Sequence, residues 1–189
     1  MSKKDRYTGI IHAVASVILT TAMATEIVGG FIRGGSFKLD GLLILGYSTL
    51  NLPVSWQLIS RRATNIHRFI ALPFAVTAVA AALLPLIVIA KQPNQPDYFL
   101  IALLGITAAA EFKLAWDYWI NKCPGRTSKL ILGLLCIALL FLTLVMVAGS
   151  MEDGTVYYTM IAIPAASAIC HMCLLIRSIG KKNEEESIA

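Results

Sequence analysis

The chain has 189 residues, 57% of them hydrophobic and only 14% charged, with a mean hydropathy of +0.73. A soluble domain carries about 25% charged residues, so this chain lacks the polar surface to coat itself in water. That excludes a disordered chain, a disulfide-stapled secreted module and a soluble enzyme. The net charge of +5, from 16 Lys and Arg against 11 Asp and Glu, is read below from its position, which decides against nucleic acid.

A helix needs about 20 apolar residues to cross a bilayer's hydrocarbon core. Six stretches reach that length: Gly9–Ile32, Leu39–Ser60, Ile66–Ala90, Tyr98–Ile120, Lys129–Ser150 and Thr155–Ser178. They are apolar all round, whereas the strands of a membrane barrel alternate. The expected fold is therefore all-α, a single six-helix transmembrane domain over residues 1–189. Short cytoplasmic tails are expected at 1–8 and 179–189. In the first segment, Ala22-Met23-Ala24 loosely imitates a signal-peptide cleavage site. The apolar run continues beyond it to Ile32, which reads as a retained helix.

Basic residues orient the bundle. Lys3, Lys4 and Arg6, then Arg61, Arg62 and Arg68, then Lys122, Arg126 and Lys129, and finally Arg177, Lys181 and Lys182 all fall on one side. Arg33, Lys38 and Lys91 fall on the other, and Lys113 falls inside the fourth segment. The excess places both termini in the cytoplasm of a multi-pass cell-membrane protein, with the charge directed at anionic headgroups. No basic stripe is left for nucleic acid. Trp56, Trp116 and Trp119 near the cytoplasmic ends, and Tyr98, Phe99, Tyr157 and Tyr158 near the outer ends, fit the two interfacial aromatic belts.

Two halves of three helices are one organisation the sequence admits. Ile70-Ala71-Leu72-Pro73 in the third segment matches Ile161-Ala162-Ile163-Pro164 in the sixth. Thr21-Ala22-Met23-Ala24-Thr25-Glu26 of the first has a counterpart in Thr107-Ala108-Ala109-Ala110-Glu111 of the fourth. Three helices per half would make the copies inverted, as in many transporters.

Polar side chains at membrane depth cost about 2–3 kcal/mol or more without a partner, so each suggests a role. Glu26 lies in the outer third of the first segment and Glu111 past the middle of the fourth. Asn51, beside Pro53 and one turn after Ser48 and Thr49, makes the second segment a candidate polar lining. Glu26, Asn51, Pro53 and Glu111 are the expected translocation path. Lys113 and Asp117, four apart on one helix face, read as a structural ion pair. Proline also interrupts the third segment at Pro73 and Pro85 and the sixth at Pro164, freeing backbone carbonyls.

His12 and His171 lie at matched depth on different segments, each about 9 Å inside a basic anchor, Arg6 or Arg177. Two facing imidazoles suit one b-type haem. His67, beside Arg68, suits a phosphate, a propionate or water. The stretch Ile11-His12, with Glu26 and Gly29-Gly30-Phe31 further along, resembles the opening helix of small b-type cytochromes of bacterial membranes. The likeness covers one helix of six, and this chain lacks the histidines for the two haems such proteins carry. Cys123, Cys136, Cys170 and Cys173 fall in the cytoplasmic half, where thiols stay reduced. The Cys170-x-x-Cys173 pair lies in an apolar helix and reads as inert packing. No metal site is expected.

No phosphate loop, H-E-x-x-H or G-x-S-x-G motif is present, and the Gly34-Gly35-Ser36 run reads as an external turn. The leading expectation is a small transporter or channel, not an enzyme and without a cofactor, passing a small solute or ion between helices. The alternatives are an electron carrier with one b haem on His12 and His171, or a non-catalytic subunit of a larger membrane complex. Its partners would be the lipid bilayer, the solute, and copies of itself in a homo-oligomer or other subunits.

Overall fold

The structure is a computed structural model describing residues 3–32, 39–60, 66–91, 97–121, 124–152 and 158–186. Its helices are α1 (Lys3–Ile32), α2 (Leu39–Ile59), α3 (Ile66–Lys91), α4 (Tyr98–Asn121), α5 (Arg126–Glu152) and α6 (Tyr158–Glu186). Among the described residues the fold is all-helical, and five helices are long and apolar enough to cross a membrane. The expected turn at Gly34-Gly35-Ser36, together with Arg33, Lys38, Arg61, Arg62, Lys122, Cys123 and Tyr157, falls outside the described residues.

Two helices depart most from the hydropathy reading, while α5 starts three residues early, at Arg126 rather than Lys129. α1 begins at Lys3 rather than Gly9, and α6 runs on to Glu186 rather than stopping at Ser178. Lys, Arg and Glu are good helix formers, so a helix need not end where its apolar run ends. The prolines each remove one backbone donor but do not break their helices. Pro53, Pro73, Pro85 and Pro164 all sit inside continuous helices.

The helices pack in chain order as a ring, each on the next, with α6 closing onto α1 and α4–α5 the thinnest seam. Short connections leave neighbours antiparallel. Gly9 at the start of α1 meets Leu58 at the end of α2, and Arg68 at the start of α3 meets Trp119 at the end of α4. Gly9 permits a close approach: a Cβ there would stand 3.1 Å from the Leu58 carbonyl carbon. Small residues serve this purpose in membranes, where packing rather than water exclusion draws helices together.

The larger core lies in the half that carries the termini. There Val54 and Leu58, Ile70 and Phe74, Leu114 and Tyr118, and Leu174 interlock. Phe74 stacks on Tyr118 with ring centroids 5.8 Å apart and meets the His171 ring edge-on at 5.4 Å. A second cluster of Leu19, Tyr47 and Ala166, flanked by Val76 and Ile163, sits deeper. Outward-facing positions are apolar as well. Ile106 on α4 and Leu130, Ile137, Phe141 and Leu144 on α5 are exposed, the surface that a hydrocarbon solvent selects.

Candidate functional site

The polar residues of α1 and α2 form a buried seam. Ser48, Asn51 and Ser55 repeat at helical spacing on one face of α2, and His12 and Ser16 face them from α1. The Ser55 hydroxyl donates to the Asn51 carbonyl at 2.8 Å, so its oxygen is left to accept from His12 Nδ1 at 2.8 Å. Ser16 donates to the His12 carbonyl at 2.7 Å, lies 3.0 Å from Ser55 Oγ, and sits 3.7 Å from the Cys170 sulfur of α6. Asn51 Nδ2 donates to the Tyr47 carbonyl, and Thr20 Oγ1 lies 3.2 Å from the Ser48 carbonyl. Each hydroxyl finds a backbone acceptor, as polar groups in hydrocarbon must.

α6 brings a second histidine in a matching arrangement. His171 Nδ1 lies 2.8 Å from the Ser167 carbonyl, one turn earlier. A carbonyl only accepts, so Nδ1 carries the proton there. The same holds for His12 facing Ser55. In the neutral ring both Nε2 atoms therefore present a lone pair. Both are buried, and neither has a hydrogen-bond partner. The two imidazoles are electrostatic neighbours.

Glu111 of α4 completes the group. It is 5% exposed, and its Oε1 lies 3.9 Å from His171 Nε2, while Oε2 has no hydrogen-bond partner. That gap exceeds a direct hydrogen bond but suits one bridging water. The Tyr47 hydroxyl lies among Ser167, Asn51, Cys170 and Glu111. Tyr47, Asn51, Phe74, Cys170 and His171 line a cavity of about 10 Å³. A cavity must offer at least about 10–15 Å³ by this measure to hold one water, so this one is at the lower edge of that size.

Of the expected path, Asn51 and Glu111 converge on this cluster through Tyr47. Glu26 does not. It accepts a hydrogen bond from Thr159 at the opposite end of the α1–α6 seam, roughly 21 Å along α1 from His12. The apolar group of Leu19, Ala166 and Ile163 lies between. Pro53 is half-buried and does not line the cavity. Lys113 and Asp117 are paired at 2.5 Å, and Ser128 of α5 also donates to Asp117. His67 is buried and engaged in an interaction of its own. Cys136, Cys170 and Cys173 are free, buried thiols. Among the described residues no three His, Cys, Asp or Glu side chains are grouped to hold a metal ion.

Ser16, Tyr47, Ser55, Ser167 and Cys170 were not legible as site residues. Two signals point to some of them: the Ser48-Asn51-Ser55 stripe, and a serine four residues from His12 and from His171, at 16 and 167. Compared with known protein families, curated proteins and solved structures, the chain matches none.

Proposed function

We propose that this chain is a multi-pass protein of the cell membrane, with both termini in the cytoplasm, that conducts protons between its helices. The one observation that carries the reading is the Glu111–His171 pair. A carboxyl and an imidazole from different helices are buried 3.9 Å apart, each with an unpartnered polar atom. Evolution tolerates such costly groups at membrane depth where they do work, and proton relays are built of Glu and His. The cavity beside them has about a single water's room, which favours a proton over a larger solute. From there Tyr47 and the Cys170 sulfur, 3.7 Å from Ser16 Oγ, lead through Ser16 and Ser55 to His12. The apolar Leu19–Ala166 layer would act as the gate between this cluster and Glu26, near the outer mouth. The bias of basic residues toward the side of the termini supports the orientation.

The test is proton uptake into reconstituted vesicles holding a pH dye, driven by a potassium gradient and valinomycin. Uptake above that of protein-free vesicles, lost in Glu111→Gln and in His171→Ala, is the expected result. Wild-type protein no faster than empty vesicles, or full uptake by Glu111→Gln, would overturn the proposal.

A haem reading is favoured by a different observation. Both histidines have Nδ1 engaged and Nε2 bare, the tautomer and orientation that metal-ligating imidazoles adopt. Against it, Phe74 fills the space edge-on to His171. An absorption spectrum after haem-replete expression separates the two readings. A Soret band lost on His12→Ala would establish the haem.

A further inference from the structure

On the outer face of α3 and α4, away from the polar cluster, runs a groove of about 470 Å³. That is within the roughly 300–1,000 Å³ range of small-molecule sites. Its floor is alanine, at Ala71, Ala75, Ala78 and Ala82 of α3 and Ala108 and Ala115 of α4, and Trp116 and Trp119 wall one end. From Ala82 to Ala71 it is roughly 16 Å long, about half of a ~30 Å hydrocarbon core. It therefore matches one leaflet, from midplane to headgroup level.

What stands at the headgroup end is a cation. The Arg68 guanidinium lies 5.5 Å over the Trp119 ring. Among the described residues no carboxylate pairs with it. An aromatic face holds such a guanidinium by cation–π attraction, leaving its N–H edge for a planar or tetrahedral anion. Apolar length and terminal charge thus complement a molecule with one long hydrocarbon chain and a phosphate at its end.

We infer that the α3–α4 groove is a specific site for an anionic phospholipid, one acyl chain lying along the alanine floor and the phosphate on Arg68. The site is separate from the proton path and does not rest on it. Trp116 and Trp119 report its occupancy, because bromine on an acyl chain quenches nearby indoles.

The experiment uses full-length Trp56→Phe protein in phosphatidylcholine vesicles titrated with brominated-acyl phosphatidylglycerol or brominated-acyl phosphatidylcholine. Half-maximal quenching is expected at about fivefold lower mole fraction for the anionic lipid, the preference one basic side chain confers. Arg68→Gln should equalise the two lipids. Ala75→Leu with Ala82→Leu, which fills the floor but keeps the charge, should reduce quenching by both. Equal quenching by the two lipids in the Trp56→Phe protein overturns the proposal, as does an anionic preference that survives Arg68→Gln. Displacement of the brominated lipid by substoichiometric isoprenoid quinone would assign the groove to a different occupant and equally overturn it.

Discussion

α4 carries two buried carboxyl groups, and their surroundings are opposites. Asp117, near the end of the helix, is held by Lys113 at 2.5 Å, by the Ser128 hydroxyl and by the Gly125 backbone. It fastens α4 to the start of α5, at a seam where the two helices otherwise touch little. Glu111, less than two turns deeper, has only His171 at 3.9 Å and one oxygen without a partner. Both are nearly fully buried. Burial alone therefore does not separate a structural carboxylate from one proposed to exchange a proton. What separates them is whether every lone pair is spoken for.

Substitutions sharpen or break that contrast. The largest expected effect is on Glu111→Gln, which keeps shape and removes the titratable proton. Proton flux should fall at least about tenfold, the equivalent of ~1.4 kcal/mol in barrier. Its midpoint of thermal unfolding in detergent should stay level or rise, because a neutral amide is less costly to bury. A flux defect accompanied by an equally large loss of stability would make Glu111 merely structural. Asp117→Ala should behave in the reverse way. It strands Lys113 and Ser128, costing about 2 kcal/mol of stability after allowance for the half-exposed lysine, with flux per folded molecule unchanged. Unfolding midpoints measured beside vesicle flux would show it.

Smaller effects follow. Gly9→Ala presses a methyl against the Leu58 backbone and should loosen α1 from α2 for about 1 kcal/mol. A cross-link yield between cysteines placed at exposed positions of the two helices would fall accordingly. Ser55→Ala leaves His12 Nδ1 only the longer contact to Ser16 Oγ at 3.3 Å, and should lower stability by about 1 kcal/mol and slow flux a fewfold. Lys113→Met should cost about 1 kcal/mol, since Asp117 loses its cation but retains Ser128 and the Gly125 backbone.

Much of the fold was legible because the signal was long and local. Six apolar runs correspond to the six helices among the described residues, with interior bounds such as those of α2, α3 and α4 falling within a residue or two of the hydropathy reading. The ends of α1 and α6 were missed, since helix formation continues past the hydrocarbon while hydropathy does not. Glu111 stood out in the sequence as a carboxyl needing a partner on another helix, but nothing in the sequence indicated that the partner was His171. Tyr47 carried no signal, and the Cys170-x-x-Cys173 spacing read as inert packing, because a tyrosine or cysteine in an apolar helix looks the same whether it faces lipid or a polar cluster.

The sequence by itself determined the solvent and the secondary structure. Side chains that cannot meet water in such numbers must lie in hydrocarbon, and a backbone in hydrocarbon must bond to itself along a helix. Only the tertiary structure decided which polar atoms meet. That depends on the rotation of each helix about its axis and on which faces the ring turns inward, quantities set by packing between segments far apart in the chain. The closure of α6 onto α1 thus brought His171 beside His12 and left Glu111 with an oxygen unanswered.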